Sequence, residues 1–160
     1  MLEKSGCDAI EVSCGVEEDG LSFARGVSFP AEALLEYGTK FKNKHPLVKK
    51  VLKPVVKKIV PPPLKPTRNY NVDAAKYIKS AVNIPVIVVG GIRTKSAVED
   101  IIENGKADMV SMSRPFILEP NIVSKFKEGK QEESKCIDCN YCLIAIQDRP
   151  VRCYYGKVKK

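Results

Sequence analysis

Four cysteines crowd into the last quarter of the chain with the spacing Cys136-x2-Cys139-x2-Cys142-x10-Cys153. Thiolates are soft donors that suit Zn2+ or an iron–sulfur cluster. Three cysteines two residues apart can wrap one face of a cubane. We expect one metal centre on these four residues: a [4Fe–4S] cluster, with Zn2+ as the alternative and free thiols as the remaining reading. In a cytoplasmic chain, which we expect here, such a cluster points to metal rather than to disulfides. Cys7 and Cys14 stand apart, on or beside an expected strand, and read as packing or pocket-wall residues.

A second set of residues could bind an anion. Gly90 and Gly91 fall between an apolar strand and a helix start. Backbone can approach a ligand closely there, and the free N–H groups of a helix N-terminus favour negative charge. The same pair also serves as a plain tight turn. The next expected strand ends in Ser113 and Arg114, which add a hydroxyl and a guanidinium at the same sheet end. Adjacent strands that both offer phosphate ligands at their C-terminal ends match the phosphate site of (β/α)8 barrels. The single histidine, His45, reads as a solvated loop residue, and no catalytic residue is named.

The elements that must position these groups are legible from periodicity. Residues 8–13 form a short strand after a helix end at Ser5 and Gly6. A short helix starts at Pro30 and stops at Gly38. Leu47, Val48, Val51, Leu52, Val55, Val56, Ile59 and Val60 recur on one helical face, with lysines between them. Pro54 is expected to kink or split that helix, and residues 61–63, all proline, to end it. Asn71 caps a helix to about Val82, with Val72, Ala75, Ile78 and Val82 inward. Residues 85–89 form a strand apolar on both faces, as in sheets covered by helices. Thr94 caps a helix that buries Ala97, Val98, Ile101 and Ile102 and stops at Gly105. Residues 107–112 form a third strand, followed by a helix with Pro120 near its start and Gly129 after its end. This order is βαβαβ, an α/β arrangement with a parallel sheet.

The sequence IPVIVVGGIR at 84–93, with ADMVSMSRPF at 107–116, resembles the end of an NADH:flavin oxidoreductase of the Old Yellow Enzyme type. Residues 8–15, DAIEVSCG, resemble strand six of that barrel, and the cysteine-rich tail resembles members with an iron–sulfur cluster. The resemblance runs from about Leu2 to Tyr155 and is weakest over 40–65. It implies the C-terminal portion, about strands 6–8, of a (β/α)8 TIM barrel followed by a small cysteine-rich segment. It implies FMN, with Gly90, Gly91, Ser113 and Arg114 on its phosphate and Arg93 a weaker candidate beside them, a solvated residue before a helix being its other reading. It also implies hydride transfer from NAD(P)H through the flavin to an enoate-type or other small electrophilic acceptor. Cys14 would then sit at the active end of strand six. Cluster-bearing members carry three residues between the second and third cysteines, where this chain has two.

The implied domains are 1–130, a partial barrel with a basic insertion at 40–68, and 131–160, the metal-binding tail. A full barrel takes about 250 residues, so a chain of 160 is expected to need a missing N-terminal barrel segment or a partner subunit for turnover.

Charge locates a further feature. The net charge is +8, yet residues 40–68 alone hold nine Lys, one Arg and no acid. The remainder is slightly acidic, so the chain does not carry the broad basic footprint of a nucleic-acid binder. Aromatic side chains hardly interleave the lysines, which argues against stacked bases, and we expect no nucleic-acid partner. Lys40 to Lys65, within the connection from strand six, is expected to act as a lid over the barrel mouth, with contact to a membrane surface as the alternative. The competing function is a non-enzymatic basic metal-binding module for an acidic partner or a membrane surface. No stretch of about 20 apolar residues is present to span a bilayer.

Overall fold

The computed structural model describes residues 2–13, 25–26, 29–60 and 67–157. It is a mixed α/β structure that divides into two units, Met1–Gly15 with Thr67–Lys135, and Val16–Pro66 with Cys136–Lys160. Residues 40–60 of the basic segment fall in the second unit with the cysteine-rich tail, and Thr67 and Arg68 in the first.

The first unit holds three parallel strands in the order β1 (Ile10–Val12), β2 (Val86–Val89) and β3 (Met109–Ser111). The register pairs Val12 with Val88, Val88 with Val110 and Val89 with Ser111. The crossover helices are α3 (Val72–Lys79) and α4 (Lys95–Glu103), and α5 (Ser113–Leu118) and α6 (Ile122–Lys127) follow β3. Val86 and Val88 are fully buried and join Val12, Val72, Ala75, Ile92, Ile101, Ile122 and Phe126 in one core. Each such aliphatic side chain contributes about 1.5–3 kcal/mol through burial. Asp108 fastens the start of β2: its Oδ2 accepts from the Val86 N–H at 2.8 Å, and Lys79 pairs with Oδ1 at 2.5 Å. The Lys79 hydrogen bond, helped by that N–H, holds the Asp108 carboxyl below the usual aspartate value.

Side chains alternate along strands, so the opposite sheet face carries Glu11, Ile87, Val89, Met109 and Ser111. No helix of this unit covers it: Glu11 and Met109 are exposed, and Ile87, Val89 and Ser111 are half-buried. The expectation that β2 is covered on both faces is therefore corrected. Among the described residues, β1 and β3 each pair on one side only.

The second unit holds α1 (Ala31–Tyr37), α2 (Pro46–Ile59) and α7 (Tyr141–Ala145). Ala33 and Tyr37 pack against Ile144, Ala145 and Tyr154, while Ala31 and Leu35 pack against Val56 of α2. Across the first seam, the Tyr141 hydroxyl donates to Glu32 Oε1 at 2.9 Å. Lys49 pairs with Glu36 at 3.2 Å, and Lys53 lies 3.9 Å from Glu32.

Several expectations shift by local chemistry. Pro54 does not split α2, which runs unbroken from Pro46 to Ile59. His45 is its N-cap, its Nδ1 accepting from the Leu47 N–H at 3.3 Å. Thr94 does cap α4, its hydroxyl oxygen accepting from the Ala97 N–H at 3.2 Å. Ile102 is 43% exposed and turns away from the core that Ile101 fills. Ser113 to Leu118 is already helical, because Pro115 sits in the first turn, where its missing N–H costs nothing. Cys7 is exposed and packs nothing. Cys14 and the prolines at 61–63 lie outside the described residues.

Candidate functional site

β2 and β3 run side by side and in the same direction, so the residues that follow them emerge at one end of the sheet. Gly90 and Gly91 follow Val89, and Ser113 and Arg114 open α5 two residues beyond Ser111. Ser113 is exposed and Arg114 half-buried. The structure thus brings the four residues named from sequence to a common sheet end.

Both glycines are required by the backbone they adopt. Gly90 has φ +146° and Gly91 φ +68°, the region that favours glycine. A Cβ on Gly90 would lie 2.8 Å from the Asn71 amide nitrogen and 2.8 Å from the Tyr70 ring. One on Gly91 would run into the Thr67 carbonyl oxygen, with the Asn69 nitrogen at 3.2 Å. The segment before α3 therefore lies directly against the glycine turn.

Asn71 does more than the capping expected of it. Its side chain makes no cap bond to α3 and instead donates from Nδ2 to the Val89 carbonyl at 2.6 Å. At 6% exposure it satisfies the last β2 carbonyl and shapes the turn from behind. Sequence reasoning missed this role because Asn before a helix already has a local explanation.

Arg93 is buried at 3% exposure, not solvated. Its guanidinium stays charged at any ordinary pH, so a permanent cation is held just past the glycine turn. Its backbone carbonyl accepts from the Ser134 N–H at 2.9 Å, and the Thr94–Glu133 bridge continues the pairing. Glu119, 5% exposed, anchors the same stretch. It accepts from Gln131 Nε2 at 2.7 Å, from Ser134 Oγ at 3.0 Å and from the Lys135 N–H at 2.8 Å. Burial pushes its carboxyl up, but these hydrogen bonds and Lys125 at 3.7 Å outweigh it and hold the group below its usual value.

A carboxyl lowered in the folded state stabilises above the unfolded-state pKa and loses that contribution as pH falls through the folded value. Glu119→Gln is expected to cost about 1–3 kcal/mol at neutral pH, with the deficit shrinking in acid. Denaturant unfolding of both proteins across pH 3–7 checks this; a deficit independent of pH would assign the cost to shape rather than charge.

The second candidate site lies in the other unit. Asp138 and Asn140 adopt left-handed conformations, φ 55° and 60°, and alternate with Cys139 in a tight loop. Asn and Asp tolerate this region better than other residues with a Cβ. They are 4% and 1% exposed. Gly26 backs the loop: a Cβ there would collide with the Asp138 carbonyl oxygen and the Asn140 side-chain amide. Burial raises the Cys139 thiol, and Cys136 and Cys153 raise it further. A hydrogen bond from the Tyr141 backbone N–H pulls the other way. The described residues do not hold three or more His, Cys, Asp or Glu side chains closed into a ligand set. The described cysteines form no disulfide.

A small parallel sheet with crossover helices makes this an α/β protein, a class in which ligands commonly sit beyond the carboxyl ends of the strands. The chain belongs to the NADH:flavin oxidoreductase / NADH oxidase family, which residues 31–133 match. It is 43% identical to an NADH oxidase of Thermoanaerobacter brockii over 106 residues, 62% of this chain and 16% of that protein. It is 42% identical over 76 residues to a bilirubin reductase of Mediterraneibacter gnavus, covering 46% of this chain and 12% of that protein. A metal reductase of Desulforamulus reducens is 39% identical over 79 residues, 48% of this chain and 12% of that protein. The chain thus spans less than a fifth of the length of these relatives. No solved structure matches it.

Proposed function

We propose that this chain supplies strands six to eight of an FMN-binding (β/α)8 barrel of the Old Yellow Enzyme type. Gly90, Gly91, Ser113 and Arg114 hold the flavin phosphate in this reading. One observation carries it: a glycine turn that no Cβ could enter and an arginine-bearing helix start share one sheet end in a chain of this family. The residues present fit a phosphate. Glycine backbone N–H groups and the Ser113 hydroxyl are donors, and Arg114 can pair bidentately. The buried charge of Arg93 favours an anion nearby.

Bound FMN would supply hydride transfer from NAD(P)H to a small electrophilic acceptor. The chain's own contribution is to fix the phosphate end and so set the reach of the ring. The ring contacts come from strands beside β1 and β3, in the same polypeptide or in a partner subunit. The unpaired edges and the uncovered face with Ile87, Val89 and Met109 support this completion.

Cys136, Cys139, Cys142 and Cys153 hold a metal centre in the same proposal, a [4Fe–4S] cluster with Zn2+ as the alternative. The four-cysteine spacing and the tight left-handed turns on either side of Cys139 support it.

Arg114→Ala tests the phosphate assignment. Losing a charged contact costs about 1.5–3 kcal/mol, roughly 10–150-fold in affinity. FMN titration of wild type and variant, followed by flavin fluorescence, should show that loss. Equal affinities would remove Arg114 from the site.

A further inference from the structure

We propose that α2 is a surface helix that docks this chain on an anionic lipid bilayer. The apolar residues of α2 divide into two sets. Leu52 and Val56 face inward, with Ala31, Leu35 and Phe41 in the same cluster. Leu47, Val51, Val55 and Ile59 are 68, 73, 48 and 73% exposed, and Val48 beside them is 44% exposed. Residues four apart stack along one side of a helix, so these side chains form a continuous ridge about 18 Å long. The break expected at Pro54 would have interrupted the ridge, but the helix runs through it.

The charge around the ridge selects the occupant. α2 contains five lysines and no acid. Lys49 and Lys53 are committed to Glu36 and Glu32 of α1. Lys57 also acts on Glu32, whereas Lys50 and Lys58 are exposed and make no ion pair among the described residues. An aliphatic ridge bordered by free lysines is what an interfacial helix presents to a bilayer, with methyls below the headgroups and long stems reaching up to the phosphates. A protein partner would be anchored by aromatic or arginine side chains, and the ridge has neither; lysine is depleted at such interfaces. A second copy would set lysines against lysines.

Sedimentation of the full 160-residue chain with vesicles tests this. Phosphatidylcholine vesicles are compared with phosphatidylcholine mixed with phosphatidylglycerol. The chain should bind the mixed vesicles at least about tenfold more tightly, with the advantage falling as salt rises. Each of Lys50→Glu and Lys58→Glu should weaken binding by roughly fivefold or more. Val51→Asp combined with Ile59→Asp should abolish it while leaving circular dichroism and melting unchanged, since both positions are exposed. The proposal is overturned if wild type ignores anionic vesicles or if the aspartate variant binds as well as wild type. It is also overturned if those substitutions abolish self-association or change FMN affinity while lipid binding is absent. Those results would assign the ridge to a second copy or to a lid over the flavin site.

Discussion

Gly91→Ala is expected to destabilise the first unit by about 3–5 kcal/mol, a large share of the stability of an ordinary domain. Two penalties combine. The φ of +68° is unfavourable for alanine by about 1–2 kcal/mol. The new methyl would also collide with the Thr67 carbonyl oxygen, a backbone atom that cannot rotate aside as a side-chain tip would. Gly129 is the control that separates the two. Its φ is +64°, yet nothing lies within 4 Å of its Cβ position. Gly129→Ala should therefore cost only the conformational part. Denaturant midpoints of the two variants decide it. A cost at Gly91 no larger than at Gly129 would mean that the Thr67 segment does not lie against the turn. FMN affinity should fall with Gly91→Ala even where the protein is folded, because the turn must move to admit the methyl.

That the glycine pair follows the carboxyl end of a strand was legible in sequence; what presses on it was not. Strand-like β-branched residues before Gly90 and a capping Thr94 after Arg93 mark strand, turn and helix locally. The approach of Thr67, Tyr70 and Asn71 is a tertiary contact that no periodicity encodes. Asn71 shows the limit well. An Asn preceding a helix satisfies the capping pattern, so its bond to Val89, 18 residues away, left no local trace. Arg93 shows it again. Next to a helix start it looks solvated, yet it is buried, and the Thr94–Glu133 bridge beside it pairs segments about 40 residues apart.

The basic helix was legible in a different way. Its period gave a helix and its lysines gave a charge, but the pattern was too broad for a single buried face. Eight apolar residues between 47 and 60 exceed what one packing partner covers. α1, a helix of seven residues, covers only the Leu52–Val56 side. The excess appears as the exposed ridge. Pro54 was weighted as a breaker because its ring removes one helical bond. The structure tolerates this loss at an exposed position, where water can satisfy the freed carbonyl.

The cysteine spacing names four candidate ligands, but it did not show what lies against the loop. That part falls to Gly26, whose neighbours in sequence carry no signal of it. Gly26→Ala is expected to disable the loop, because the methyl meets it from behind at two points. Asp138 and Asn140 are nearly fully buried and already in left-handed conformations, so the loop has little freedom to retreat. Overpacking of this kind costs about 1–3 kcal/mol or more, and here it displaces the backbone between Cys136 and Cys142. Anaerobic reconstitution followed by iron, sulfide and zinc analysis should find the variant depleted of metal relative to wild type, as for Cys139→Ser. Wild-type protein is expected to gain thermal stability on loading and lose it to a chelator, since binding energy from a closed ligand set is folding energy. A Gly26→Ala protein that loads metal fully would show that Gly26 does not support the loop. One zinc per wild-type chain with no iron would leave the centre a structural clamp and remove it from electron transfer.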